Sequence, residues 1–504
     1  MIRTHLIGLL LLLMIFKSNA QDVRSKLDSF YTGLAKEDRL NGNVLIAEGG
    51  QIVYQKSFGF AVFEERKDNN MRTAFQLASL SKPFTAIAVL QLADQRKLNL
   101  DDELKKYIPN FPYPGITISQ LLSHSSGVSD QDLGQALATF EKVNGHPHTN
   151  AELLQFLAGH PVSFKLAPGQ KWWYSNLGYE LLACLVEKVS GKSFDRYLTQ
   201  HIFKPAGMKN TYLLSSPEAQ QIYQAKNYDY PKIYATDRIR IDQTAADYKE
   251  RAYGHSNIVS TCEDLLKLAN HYFDGSLVKP ETVNRAIKGT RLENGQPNSV
   301  WMNIGGLGNT VDGLGWFIFT GSENKGQLFH AGGMAGAVTI LLYDMEKKQT
   351  VIILDNTGSE GIYRNAQNGM RILNHQQITP AKRNLAKLYG RWLVSKGEKI
   401  AAEMLASNKQ DTVNFTLSEN DMNNLGYAFL GDKLYSNAIA VFKLNCTLFP
   451  ISDNAWNSYG EALEQIGQTK EAEEMYVKSL HLNPMNSDSQ KALERIHAAN
   501  GIKK

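Results

Sequence analysis

A chain of 504 residues is longer than one hydrophobic core usually organises, so two or three domains are expected. Hydrophobic residues at 43% and charged residues at 21% are ordinary globular values and exclude a disordered or fibrous chain. A formal net charge of +4, with no Lys/Arg block, gives no support to nucleic-acid binding or to adhesion at an anionic membrane.

The first feature in chain order is a leader. Arg3 makes the start positive, Leu6 to Phe16 form an apolar stretch, and Ser18-Asn19-Ala20 offers small residues for cleavage after Ala20. The stretch is shorter than the ~20 residues of a membrane span, so residues 1–20 are expected to be a removed signal peptide. No cysteine stands at the cleavage point to carry a lipid. The expected product is an exported, periplasmic or secreted protein with no membrane span.

Two strand-like runs follow, Asn43 to Glu48 and Gln51 to Ala61, joined at Gly49-Gly50 as in a β-hairpin. From about Ser79 to Gly275 the pattern is helical, broken by turns such as Pro168-Gly169. Strand character returns in Leu328 to Ala331, Ala337 to Asp344 and Thr350 to Asp355, with Met345-Glu346-Lys347-Lys348 as the turn between the last two. Sheet at both ends and helices between them predict an α+β domain over residues 21–375, a mostly antiparallel sheet with a helical insertion. The three cysteines, Cys184, Cys262 and Cys446, form no disulfide pattern, and Cys184 reads as a small buried hydrophobe in Leu181 to Val186.

Residues 376–504 read as all-α and contain an internal repeat. Leu425-Gly426, Phe429, Ala438, Phe442 and Pro450 recur 34 residues on as Tyr459-Gly460, Leu463, Ala472, Tyr476 and Pro484. The pattern resembles the tetratricopeptide repeat, with copies at about 419–452 and 453–486. Small residues serve where paired helices approach closely, and aromatics fill the space between pairs. Leu385 to Ser407 is expected to supply a further helix or to dock the array, which either caps the fold or presents a surface to a protein partner.

Ser79-Leu80-Ser81-Lys82 sets a hydroxyl and an amine three positions apart, within reach of each other on one helix face. The same spacing recurs at Ser276 to Lys279 and at Ser322 to Lys325, but only the first leads into a long apolar stretch, Phe84 to Ala93. That stretch predicts a buried helix, with Ser79 at its positive end and its own N–H free to help bind an oxyanion. Two further candidates follow: Tyr174-Ser175-Asn176, ahead of an apolar helix, and His330-Ala331-Gly332-Gly333, at the end of a strand-like run.

Ser-x-x-Lys, Tyr-x-Asn and a Lys- or His-x-Gly strand, in this order, resemble the class C β-lactamase and D-alanyl-D-alanine carboxypeptidase family, related to penicillin-binding proteins. Gln120 to Gly127, Ile202 to Met208 and Ser260 to Leu265 match further landmarks of that family. The resemblance implies a β-lactamase/transpeptidase-like fold and a serine hydrolase without cofactor or metal. It implies Ser79 as nucleophile, Lys82 and Tyr174 as the proton-transfer pair, and Asn176 as orienting Lys82 and substrate. The N–H groups of Ser79 and Gly333 become the oxyanion hole, and His330, Gly332 and Gly333 border the substrate.

His330 stands where many β-lactamases carry lysine, so a small-molecule or peptide substrate with an amide, peptide or ester carbonyl is expected, in carboxypeptidase-like or esterase-like reactions. A partly protonated His330 predicts that turnover of carboxylate-bearing substrates rises toward pH ~6. His124 is expected to make turn hydrogen bonds, and His146 and His148 to lie in a polar loop without metal. The opposing reading is a non-catalytic envelope scaffold that works through its repeats.

Overall fold

The computed structural model describes residues 21–160, 162–216, 223–241 and 252–499, so the expected leader lies outside the described residues. The chain forms two compact units, Met1–Asp229 with Arg240–Thr379, and Tyr230–Ile239 with Pro380–Lys504.

The larger unit starts with helix α1 (21–36) and the expected hairpin, β1 (Gly42–Glu48) and β2 (Gln51–Phe58). Gly49 and Gly50 both take positive φ, which a tight hairpin turn requires and glycine adopts freely. The helical middle includes α2 (Lys82–Asp94), α3 (Asn176–Ser190) and α4 (Cys262–Phe273). Strands β3 (Ser299–Val300), β4 (Thr310–Asp312), β5 (Phe317–Phe319), β6 (Gln327–Met334), β7 (Ala337–Asp344) and β8 (Gln349–Asp355) follow, and then α5 (Ile362–Leu373). They build one eight-stranded sheet in the order β3-β4-β5-β6-β7-β8-β1-β2, with every pairing antiparallel.

Both faces of this sheet are covered. On β8, Val351 and Ile353 pack with α1 and α5, while Ile352 and Leu354 face the core that holds α2, α3 and α4. Successive strand residues point to opposite faces, so a doubly covered strand must be apolar throughout, as Val351-Ile352-Ile353-Leu354 is. Helix α2 is buried from Lys82 through Leu92, as its apolar run predicts. Each fully buried Leu, Ile or Val there contributes ~1.5–3 kcal/mol, which anchors the residues at its start.

The smaller unit consists of α6 (Leu385–Lys396), α7 (Glu398–Asn408), α8 (Glu419–Gly431), α9 (Tyr435–Leu448), α10 (Asp453–Gln465), α11 (Thr469–Leu482) and α12 (Ser487–Ala499). Leu385 to Ser407 supplies two helices. A Cβ on Gly426 would lie 2.5 Å from the Phe442 ring, and one on Gly460 would lie 2.9 Å from the Tyr476 ring. The two glycines 34 residues apart thus do the same job, admitting an aromatic ring against a helix backbone. Segment Tyr230–Ile239 also belongs to this unit, although it interrupts the larger one in sequence. Its Tyr234 stacks on Phe429 at 4.0 Å and donates to Asp432, whose other oxygen is 2.6 Å from Lys232 Nζ.

Candidate active site

Ser79 sits in a single 3-10 turn, Ala78–Ser81, that runs into α2. Ala78 holds φ at +49°, a left-handed conformation that costs a residue with a side chain ~1–2 kcal/mol. The turn is braced by the sheet: Thr339 Oγ1 of β7 donates to Leu77 O at 2.7 Å. A Cβ on Gly332 of β6 would lie 2.0 Å from that same carbonyl. Gly332 therefore admits the backbone just ahead of Ser79, whereas Gly333, one residue on, is exposed. Strand β5 pairs with β6 only at Leu328 and Phe329. The edge of β6 from His330 onward thus lies beyond the reach of that pairing.

Lys82 is fully buried, and its Nζ lies 2.8 Å from Asn176 Oδ1, 3.1 Å from His255 O and 3.2 Å from Ser79 Oγ. Burial pushes its pKa down to about 7, against the attraction of Asp130 and Glu180. A neutral lysine has two N–H bonds and one lone pair. The two carbonyl oxygens take the two N–H groups, which leaves the lone pair for the proton of Ser79.

Tyr174 lies beside it, with Lys82 Nζ 4.7 Å from the centre of the ring. Burial raises its pKa far above the ordinary phenol value; the Ser79 hydroxyl opposes this, and the charges of Asp130 and Asp312 reinforce it. Both shifts have one cause, the cost of a buried charge, and both select an amine and a phenol over an ammonium and a phenolate.

Three residues hold the Tyr174-Ser175-Asn176 segment. Asp130 accepts from Ser175 Oγ, Asn176 N and Leu177 N at 3.0, 2.9 and 3.1 Å, capping the start of α3. His124 accepts from Ser175 N at 3.1 Å through Nδ1, its carbonyl accepts from Trp173 N at 2.7 Å, and its ring lies 4.3 Å from that of Tyr174. Trp172 Nε1 donates to the buried Asp312 at 2.7 Å. His124 is thus structural, as expected, while Asp130 escaped the sequence reading. Its one signal was the short polar turn before it, which looks like an ordinary helix cap.

His330 departs from expectation. It is buried against Phe317, its Nδ1 donates to Ala331 O at 2.9 Å, and burial together with the charge of Lys82 pushes its pKa down to about 3. The ring is neutral at working pH, so the predicted gain for carboxylate substrates near pH ~6 does not follow. His148 does lie in the loop between two helices, but that loop is closed over it, and the ring is buried between Glu141 and Glu180. Among the described residues, no three His, Cys, Asp or Glu side chains are arranged to hold a metal ion. Cys184, Cys262 and Cys446 are buried free thiols.

The β-lactamase family profile matches residues 27–369. The chain belongs to the β-lactamase family. It is 31% identical over 355 residues to "Penicillin-binding protein 4*" of Bacillus subtilis (strain 168), covering 69% of this chain and 74% of that one. Among solved structures, the octameric penicillin-binding protein homologue from Pyrococcus abyssi matches with a TM-score of 0.58 and 26% identity, covering 70% of this chain and 78% of that one. EstCE1, described as a hydrolase with promiscuous acyltransferase activity, matches with a TM-score of 0.59 and 22% identity over 70% of this chain and 98% of its own. The family assignment covers the larger unit and makes this a β-lactamase-fold member of a serine hydrolase family. No helix among the described residues is long and apolar enough to cross a membrane.

Proposed function

We propose that the protein is an exported serine hydrolase that forms an acyl-enzyme at Ser79 on amide, peptide or ester carbonyls, in carboxypeptidase-like or esterase-like reactions. The observation that carries this reading is the three-point setting of Lys82, which leaves its lone pair for Ser79 Oγ. Lys82 takes the serine proton as Oγ attacks the carbonyl carbon, and the N–H groups of Ser79 and Gly333 receive the oxyanion. Tyr174 gives its proton to the leaving group as the intermediate collapses, and Lys82 restores that proton. Water then attacks the acyl-enzyme by the same steps in reverse. Asn176 turns its oxygen to Lys82, so its amide N–H2 is left for a substrate carbonyl.

A neutral His330 offers no positive charge to a substrate carboxylate, which weighs against efficient β-lactam turnover and, of the two reactions, favours the esterase-like one over the carboxypeptidase-like one. The similarity to a penicillin-binding protein and to a hydrolase with promiscuous acyltransferase activity supports acyl transfer. The helical unit is read as tetratricopeptide-like repeats offering a surface to a protein partner. The test treats the purified protein with a fluorescent penicillin and a p-nitrophenyl ester, beside Ser79→Ala. A covalent adduct that mass spectrometry maps to Ser79 is expected; no Ser79-dependent adduct or product with either probe would sink the reading and leave the repeat scaffold.

A further inference from the structure

A row of charged groups lies behind Lys82 that the acylation steps do not themselves use. Glu180, four residues after Asn176 on α3, has only 4% of its side chain exposed and stands between two imidazoles. Its Oε2 is 2.9 Å from His148 Nε2 and its Oε1 is 3.1 Å from His255 Nδ1. The other ring nitrogen of His148 is 2.7 Å from Glu141 Oε1. His255 closes the row, because its backbone carbonyl is one of the two that accept from Lys82.

The backbone on the near side of His255 is pinned as well. Thr85 Oγ1 of α2 donates to Gly254 O at 2.5 Å. Asn150 Nδ2 donates to Tyr253 O and Glu180 O at 3.0 and 3.1 Å, while Tyr253 N donates back to Asn150 Oδ1 at 2.8 Å. Buried charges cost several kcal/mol each unless they are paired, and a leucine at position 180 would pack in an apolar helix without that cost. A cavity of about 430 Å³ adjoins the row, lined by Glu141, His148, Glu180 and His255 and also by Ala78 and Asn176. The row therefore runs along the wall of the space beside the nucleophile.

We propose that Glu180 is a positioning residue for acylation: it holds His255 so that the His255 carbonyl meets Lys82, and its negative charge, tempered by His148, biases the protonation of Lys82. This rests on the reading of Ser79 as nucleophile and Lys82 as base.

The groups that face Lys82 are Asp130, Glu180, His124, His330 and the rings of Tyr174 and Tyr179. Those that face Glu180 are His148, His255 and Cys184, with Glu141 beyond His148. Burial alone would lower His148, but Glu180 and Glu141 outweigh it and bring its pKa up to about 9, so it is a cation at neutral pH. Burial alone would raise Glu180, but its two imidazoles outweigh it and bring the value down to about 2, so it is an anion. Neutralising one or the other must move Lys82 in opposite directions.

The experiment measures the pH profile of kcat/KM for a p-nitrophenyl ester, with mass spectrometry of the Ser79 adduct, in wild type, Glu180→Gln, Glu180→Asp and His148→Gln. Glu180→Gln removes an anion near Lys82, so its acid limb moves to lower pH by about 0.5–1 unit; His148→Gln unmasks that anion, so its limb moves to higher pH by a similar amount. Glu180→Asp returns the limb toward wild type. A residue needed only for folding would lower the rate without moving the limb. Limbs that stay in place, or move the same way in both variants, overturn the inference. If Glu180→Gln does not fold, the upward shift in His148→Gln decides alone. A wild type without a Ser79 adduct overturns the catalytic reading and this inference with it, whereas an adduct with unmoved limbs overturns this inference only.

Discussion

Replacing Gly332 by alanine perturbs the site without touching any reacting group. The added Cβ would stand 2.0 Å from Leu77 O, 2.4 Å from Thr339 Oγ1 and 3.0 Å from Leu80 N. The first separation falls 1.4 Å short of the 3.4 Å at which ordinary contact begins, and the obstacle is backbone, which has no rotamer to turn away. Either β6 or the Ala78–Ser81 turn must shift by about 1 Å, and a misplacement of that size costs ~100-fold in rate. The overpacking itself costs ~1–3 kcal/mol, within reach of a stable fold. The assay is single-turnover acylation by a p-nitrophenyl ester, with a thermal melt beside it. Gly134→Ala is the matched control: it lies in the helix Asp130–Asn144 with nothing within 4 Å of a new Cβ. It should leave acylation unchanged and stabilise by up to ~1 kcal/mol. A folded Gly332→Ala variant that acylates within about threefold of wild type would refute the argument that this contact sets the oxyanion site.

Acylation should rise with pH through about 7, where Lys82 becomes neutral, and a profile that falls across that range would contradict Lys82 as base. The same shift bears on stability. A lysine at 10.5 when unfolded and about 7 when folded binds more protons in the unfolded state between those values. Unfolding free energy should therefore gain with pH from about 7 to 10.5, and Lys82→Met should flatten that gain in denaturant titrations while abolishing the adduct. Tyr174→Phe should slow amide turnover by ~100-fold or more yet affect a p-nitrophenyl ester far less, because nitrophenolate leaves without a proton; equal losses on both would remove Tyr174 from the acid role. Asp130→Ala deletes three hydrogen bonds at the start of α3 and should cost ~1–3 kcal/mol in thermal or denaturant melts, with kcat falling as Asn176 drifts from Lys82.

What could be read from the sequence was whatever is local. The hairpin declared itself through Gly49-Gly50, and α2 through an apolar run with no polar face. Strand β6 ends at Met334 and not at Ala331, because the glycines that resemble a turn continue the pairing, Gly332 with Thr339 and Gly333 with Val338. The identity of His330 was legible but its charge was not, since protonation depends on burial contributed by distant residues. Glu180 did leave a trace, as an acid four residues after Asn176 on the buried part of an apolar helix, but its partners His148 and His255 come from elsewhere in the chain. Tyr230–Ile239 could not be placed at all, because Tyr234 meets Asp432, 198 positions further along the chain.

That segment changes how the chain can be divided. The polypeptide passes between the two units after Asp229, again after Ile239 and once more after Thr379. A shortened protein ending at Thr379 would keep Ile233 and Tyr234 but lose the residues that cover them. The helical unit is therefore not an appendage that one cut removes: a hydrolase unit prepared alone would carry an uncovered apolar loop, and clean separation requires excising the loop as well.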